Sequence, residues 1–334
     1  MDTAPMTVDS CIESFLGVVA LDVAITSGLI ATLASGGAGA TPAEPLVAIL
    51  RGTGVLAPHG LALSDRFAAL WRDQASHVQA RVGFLRLAAA DVAQHAEDLF
   101  QNVGGFMEKS ATFRYFDYAM AKRDDPQARA HTRRWVDYVA ALTDAEAPGV
   151  LDATHLPDTG TVLEIGGNAG AFARHVLRRH AGLSQVILDL PGVCAVGRAD
   201  PANSAFGDRL RFAPGDMRRT NWRIEAGCMP DVILFKSVLH DWPAEDAADL
   251  LARAVRHLAP TGRIIILERG AFTTANLPAL PFSSAANLVF SPFYRNPDIY
   301  AETLRTAWPE AVTSIRPIHL DMGWFVTTAM RPAP

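Results

Sequence analysis

The feature that most constrains the fold of this chain lies after Pro157, where short β-branched runs alternate with segments of helical texture. "TVLEIGG" (161–167), "SQVILDLP" (184–191), "LRFAPGD" (210–216), "DVILFKS" (231–237) and "GRIIILERG" (262–270) are each bounded by Gly, Pro or Asp. Nearly continuous apolar strands with helices between them read as a parallel sheet covered on both faces, since a crossover must carry the chain back to the same end of the sheet. An α/β domain is therefore expected over 151–334.

The upstream part has a different texture. Residues 10–34 carry apolar side chains on nearly every face, the pattern of a helix buried all round, in a core or against a partner chain. "ASGGAGATPAEP" (34–45) is a small-residue loop, and a short helix follows. "VLAPHGLALSDRF" reads as a strand, a turn at His59-Gly60, a second strand and a helix cap at Ser64 or Asp65. Helix, helix and β-wing predict a winged-helix-like unit over 1–75. Residues 76–150 read as a helical linker rich in aromatics.

Composition narrows the class. A chain of 334 residues has room for two cores, and with 49% hydrophobic and 19% charged residues it is globular. A net charge of −5 gives no surface for tracking phosphates, so nucleic acid is not an expected partner. A DNA-binding regulator built on the wing would need a basic recognition helix, and no Lys precedes Lys109. Three scattered cysteines (Cys11, Cys194, Cys228) form no Cys-x-x-Cys pair, which favours a reducing, cytoplasmic compartment over a disulfide framework or zinc site. "MDTAPMTVDS" has no basic n-region of a secretory signal. Asp22 in the middle of "FLGVVALDVAITSGLIATLA" argues for a buried helix and against a membrane span. No His/Asp/Glu grouping has metal-ligand spacing.

Chemistry-bearing residues fall at strand ends. In "VLEIGGNAGAFARHVL" (162–177) a strand, a glycine turn and a helix follow one another, and such a turn lets backbone approach a ligand. The order Glu164-x-Gly166-Gly167-Asn168-x-Gly170 places Asn where a dinucleotide fingerprint has its middle glycine, and no P-loop Lys follows. A nucleoside ligand and a tight turn serving only packing both fit this stretch alone. Asp189 ends the second run, where a carboxylate can take a ribose diol or simply open the "LPGV" turn. Gly215, Asp216 and Met217 end the third run, suited to an adenine amino group and ring face or to a plain Gly-Asp turn.

Taken together with "FKSVLHDW" and "IIILERG", "LEIGGNAG", "LDLPGV" and "GDM" resemble the class I S-adenosylmethionine-dependent small-molecule O-methyltransferases, the family of caffeate, hydroxyneurosporene and acetylserotonin O-methyltransferases. The resemblance covers most of the chain. It implies a Rossmann-like catalytic domain behind an N-terminal winged-helix dimerisation domain, and homodimers. It also implies S-adenosylmethionine as cofactor, S-adenosylhomocysteine as product and a small-molecule acceptor of natural-product or pigment metabolism. Position by position, it assigns Glu164, Gly166, Gly167 and Gly170 to the methionine side and Asp189 and Leu190 to the ribose. Gly215, Asp216 and Met217 go to the adenine, with Lys236 near the cofactor.

The same resemblance makes His240 the catalytic base, followed by Asp241, with Glu268 as the acid orienting it. Imidazole is suited to remove the proton that blunts a hydroxyl nucleophile. The competing reading has Asp241 capping the next helix, Pro243 in its first turn and His240 incidental. The family's second acid corresponds to Tyr294, with Arg295 matched and Asn296 in place of Thr. This departure keeps a second reading open, in which the cofactor assists hydroxylation, decarboxylation or a pericyclic reaction. Phe106, Met107, Phe113, Phe116, Trp135, Tyr138, Asn287 and Tyr294 fall where the family builds its acceptor pocket, and core packing would account for the aromatics equally well.

Overall fold

The computed structural model describes residues 8–37, 41–219, 222, 229–271, 285–320 and 323–332. Cys228 lies outside them. The chain divides into two compact units, Met1–Phe113 with Ala279–Val289, and Arg114–Pro278 with Phe290–Pro334.

The first unit is helical: α1 (Val8–Thr26), α2 (Leu29–Ala34), α3 (Glu44–Gly52), α4 (Asp65–Gln101), α5 (Val103–Lys109) and the start of α6 (Ala111–Tyr115). Gly28, in the left-handed region at φ 79°, separates α1 from α2, so the apolar run over 10–34 is two helices. Ser64 caps α4 by accepting from the Phe67 N–H. The expected wing is a single antiparallel bridge between Leu56 and Leu63. Ala20, Ala24, Ile30, Leu50, Leu56, Phe67, Trp71 and Val78 form the core. Within one chain α1 is not buried all round. Its Ala face packs inward and Asp22 pairs with Arg86 at 2.5 Å, while Ile12, Phe15, Leu16 and Val23 are 42–52% exposed.

The second unit adds α7 (Tyr118–Ala121) and α8 (Pro126–Ala153), then β1 (Thr159–Ile165), α9 (Ala171–Arg179), β2 (Gly182–Asp189), α10 (Pro191–Arg198), α11 (Pro201–Ser204) and β3 (Leu210–Pro214). β4 (Val232–Lys236), α12 (Ala244–His257) and β5 (Arg263–Arg269) complete the parallel part. The short α13 (Ala285–Leu288) belongs to the first unit. α14 (Pro297–Ala307), β6 (Val312–Ile318) and β7 (Trp324–Met330) close the chain.

The sheet order is β3-β2-β1-β4-β5-β7-β6, with β7 antiparallel to both β5 and β6. All five expected strands are present. The hairpin of β6 and β7 was not foreseen. The chain turns back between β1 and β4, so their carboxyl ends flank the crevice where open α/β sheets take ligands. Alternation sorts the side chains onto two faces. Leu163, Ile165, Ile233, Phe235, Ile264 and Ile266 pack under α12 and α14, and Val162, Val232, Leu234, Ile265 and Leu267 pack under α8 and α9.

The helical stretch expected as a linker over 76–150 is divided between the units after Phe113. The physical reason is core membership: Val78 of α4 packs with α1–α3, whereas Ala147, Val150 and Leu151 of α8 pack on the sheet.

Candidate active site

The glycine turn after β1 is shaped by close approach. Gly166 sits at φ 69°, and a Cβ there would lie 2.6 Å from Val238 Cγ2 and 3.4 Å from Met217 Cε. A Cβ on Gly167 would fall 2.8 Å from the Glu164 carboxyl carbon. Asn168, at φ 55°, fills the left-handed position expected of the missing glycine. Its N–H donates to Asp189 Oδ2 at 2.8 Å, and the Leu190 N–H donates to Oδ1 at 2.7 Å. Asp189 thus ties the turn to the end of β2, and the Gly215 N–H, donating to the Asp189 carbonyl at 2.8 Å, adds the end of β3. Burial pushes the Asp189 carboxyl up to about 6 against the pull of these two N–H groups.

Glu164 is fully buried, and burial pushes it up to about 8, opposed by the charge of Lys236 and by the Gln185 amide, which donates to Oε2 at 2.6 Å. Asp216 accepts from the Arg218 N–H at 3.0 Å and lies 3.6 Å from Lys122 Nζ. Burial raises its carboxyl, but these partners outweigh that and hold it below the usual range. Glu164, Gly166, Gly167, Gly170, Asp189, Leu190, Gly215, Asp216 and Met217 thus gather at the neighbouring ends of β1, β2 and β3. Lys236 commits its ammonium to the α8 face instead. Nζ lies 3.5 Å from Glu146 Oε2 and 3.4 Å from Thr143 Oγ1, facing the Trp324 ring at 5.1 Å.

His240 stands on a 3-10 turn, Leu239–Asp241, directly after β4. Glu268, near the end of β5, holds that turn with both oxygens. Oε1 accepts from the N–H groups of Val238 and Leu239 at 2.9 and 2.8 Å, and Oε2 lies 2.6 Å from His240 Nδ1. Burial alone would raise the Glu268 carboxyl, yet His240 and the two N–H donors keep it lowered, so it is an ionised acceptor and Nδ1 carries a proton. On the other ring edge, Asp241 Oδ1 is 3.3 Å from Nε2, and Asp241 Oδ2 accepts from the Tyr118 hydroxyl at 3.0 Å. Burial lowers the His240 pKa, but the charges of Glu268 and Asp241 prevail and leave it raised.

The expected capping role of Asp241 is not what the structure shows. The residue preceding α12 is Pro243, with no side-chain cap, and Asp241 turns toward His240 and Tyr118. Proline has no side-chain acceptor for the first turn, where Glu245 and Asp246 complement the helix dipole instead. Arg295 reaches the same turn, donating to the Leu239 carbonyl at 2.8 Å and to the Trp242 carbonyl. The Tyr294 ring stands edge-on to His240 with centroids 5.1 Å apart.

Phe116, Trp135 and Tyr138 form one aromatic cluster, with Phe116 6.0 Å from Trp135, 6.3 Å from Tyr138 and 5.9 Å from Phe290. Tyr118, 5.7 Å from Trp135 and 6.2 Å from Trp242, links that cluster to the His240 turn. Phe106, Met107, Phe113 and Asn287 fall in the first unit, where Phe106 and Phe113 pack edge-to-face at 6.2 Å. Sequence reasoning missed Tyr118, Glu146, Phe290 and Trp242. Tyr118 stands 123 positions from its partner Asp241, beyond any local periodicity. Trp135 Nε1, Ser237 Oγ and Trp242 Nε1 are buried without a hydrogen-bond partner among the described residues, as polar atoms awaiting a ligand or water would be. Among the described residues no group of three or more His, Cys, Asp or Glu could hold a metal ion.

The family model of the O-methyltransferase domain matches residues 86–277, more than half of the chain. The chain belongs to the O-methyltransferase domain family. Mitomycin biosynthesis 6-O-methyltransferase of Streptomyces lavendulae is 32% identical over 145 residues, 43% of this chain and 39% of that protein. Aclacinomycin 10-hydroxylase RdmB of Streptomyces purpurascens is 32% identical over 124 residues, 37% of this chain and 31% of that protein. The aligned stretch thus spans less than two fifths of either relative, 39% and 31%. Human N-acetylserotonin methyltransferase, solved in complex with SAM, shares the fold across 100% of both chains with a TM-score of 0.71 at 16% identity. Among the described residues of this family member, no helix is long and apolar enough to cross a membrane.

Proposed function

We propose that this protein transfers a methyl group from S-adenosylmethionine to an oxygen of a small acceptor, releasing S-adenosylhomocysteine, with His240 receiving the acceptor's proton. The observation that carries the reading is the His240–Glu268 pair: an imidazole at the β4 end whose Nδ1 is fixed at 2.6 Å by a buried carboxylate. Such an orienting acid holds the tautomer in which Nε2 takes up a proton and stabilises the cation that results.

The residues at the strand ends suit the cofactor. The Asp189 oxygens each accept one N–H and keep a lone pair for a ribose diol. Gly166 lacks the side chain that would collide with Val238, which lets the β1 turn and the end of β4 come close together. Met217 offers an apolar face beside it, and Asp216 an acceptor for an amino group. When bound, the cofactor supplies a methyl group already activated on a sulfonium. The chain's own residues align the acceptor, receive its proton and keep water out. Phe116, Trp135 and Tyr138 are aromatic walls for a planar or polyene acceptor, and the mitomycin relative supports a place in natural-product metabolism.

Incubating the protein with S-adenosylmethionine and a panel of phenolic and enolic acceptors tests this. S-adenosylhomocysteine should form in equal amount with methylated product. Acceptor consumed with no S-adenosylhomocysteine supports the second reading, a non-methylating reaction. Tyr294 beside His240, where the family resemblance expects an acid, favours that reading, as does the similarity to the aclacinomycin hydroxylase.

The same proposal includes a cytoplasmic homodimer. Ile12, Phe15, Leu16 and Val23 present an apolar α1 face that pairing with a second copy would bury. Sedimentation should find a dimer at micromolar concentration, reduced to monomer by Phe15→Asp with Leu16→Asp.

A further inference from the structure

We propose that Tyr118 and Asp241 are positioning residues that hold a second carboxylate on the Nε2 edge of His240, so that the resting imidazole keeps its proton until an acceptor displaces Asp241. This rests on the reading of His240 as the proton-accepting group. The geometry is a continuous chain: Tyr118 hydroxyl to Asp241 Oδ2 at 3.0 Å, Asp241 Oδ1 to His240 Nε2 at 3.3 Å, and His240 Nδ1 to Glu268 Oε2 at 2.6 Å. An orienting acid on Nδ1 alone would leave Nε2 free. Here the nitrogen that must take up a proton already faces a carboxylate.

Every group packed around His240 has its place in this account. Glu268 from β5 and Asp241 from the turn itself favour the cation, and the Arg269 guanidinium opposes it. Tyr294 contributes a ring edge and stays neutral, its hydroxyl pushed further up by burial. Arg295 donates to the carbonyls of Leu239 and Trp242, so it fixes the turn and balances part of the Asp241 charge. Tyr118 itself, buried and beside Asp241, is held well above its ordinary value and remains a hydrogen-bond donor at all working pH values. Its rings of contact with Trp135 and Trp242 fix where that hydroxyl points.

The consequence is an acid limb set by two carboxylates. While it is an imidazolium, His240 carries a proton on each nitrogen, and the Nε2 proton must leave to water before the ring can accept one from an acceptor hydroxyl. Below the pKa of this imidazolium the base is absent and kcat/KM falls. Removing the Asp241 charge lowers that pKa, and the limb moves to lower pH.

The test is a ¹³C-histidine NMR titration of the full chain without added ligand, with the His240 signal assigned by its loss in His240→Gln. The wild-type ring should titrate above its ordinary value of about 6.5. Asp241→Asn should bring the midpoint down by about one pH unit, a tenfold change in proton affinity. Tyr118→Phe deletes one oxygen and keeps the ring packing, so it supplies a reading even if Asp241→Asn fails to fold. It should move the midpoint in the wild-type background and leave it unmoved in Asp241→Asn. An unmoved His240 midpoint in Asp241→Asn, or in Tyr118→Phe alone, overturns the proposal, as does an equal Tyr118→Phe shift in both backgrounds. Turnover assays separate this from the functional reading. If no acceptor yields S-adenosylhomocysteine while the NMR shifts hold, methyl transfer fails and the clamp on His240 stands.

Discussion

The two faces of the sheet at its carboxyl edge bury charge in different ways. On the α12 and α14 side, Glu268 pairs with an imidazole that can gain or lose its proton near neutrality. On the α8 and α9 side, Glu146 pairs with Lys236 and Arg269; burial pushes the Lys236 ammonium down, and the Glu146 carboxylate opposes that shift. Neighbouring residues, Glu268 and Arg269, point to opposite faces because strand side chains alternate. One face holds the exchangeable proton of His240, and the other holds the Glu146 carboxylate between two cations. Trp324 marks the second face, with the Lys236 ammonium 5.1 Å and the Arg269 guanidinium 4.3 Å from its ring.

Crossed substitutions can break this contrast. His240→Ala should cost turnover about 10²–10⁴-fold while leaving the cofactor Kd close to wild type. An equal loss of cofactor affinity there would place His240 among the groups that only hold the site together. Glu146→Ala should do the reverse, costing about 3–5 kcal/mol in denaturant unfolding, because it strands two buried cations without their partner. If that variant is as stable as wild type, the α8 face is not the structural one.

Glu268→Gln probes the moving charge more finely. The amide oxygen can still accept from Val238 and Leu239, which turns its N–H group toward Nδ1 and shifts the ring proton to Nε2. Turnover should fall by about 10²–10⁴-fold through the wrong tautomer, with the fold intact. Circular dichroism and steady-state kinetics on one preparation check both halves.

The smallest effect is expected at Glu164. Its folded pKa, about 8, lies above the unfolded value, so the stability it contributes is full below the unfolded pKa and is lost as pH rises through about 8. Glu164→Gln removes that dependence. The ligand-free variant should melt about 2–4 °C higher than wild type at pH 9 and near it at pH 5. Equal melting temperatures at both pH values would mean that Glu164 is not buried as a charge.

Much of this architecture is legible in the sequence, and the gaps have physical causes. β1 to β5 announce themselves because parallel strands are buried on both faces and leave apolar runs. β6 does not, since "VTSIRPI" lies at the sheet edge, is largely solvated and contains Pro317, which an edge strand tolerates. The α1 helix reads as buried on every face because Ile12, Phe15 and Leu16 are as apolar as Ala20 and Ala24. Ala20 and Ala24 are buried in the core of the unit, while the three larger side chains stay 42–52% exposed. The strand-end residues gather as their motif order implies. The partners that tune them do not show in the sequence: Glu146 meets Arg269 across 123 positions, and no local period connects them. Asp241 followed by Trp242-Pro243 suggests a cap, and it is the long-range hydroxyl of Tyr118 that takes it elsewhere.

Arg295 ties two of these observations together. Its guanidinium grips the carbonyls of Leu239 and Trp242, at the start of the turn and just beyond it, from a segment that lies next to Tyr294 and Phe290. Replacing that segment with a homologue's therefore carries a hidden liability. A graft that omits this arginine would loosen the imidazole, and under the proposed methyl transfer the lost turnover could be mistaken for a poor choice of acceptor.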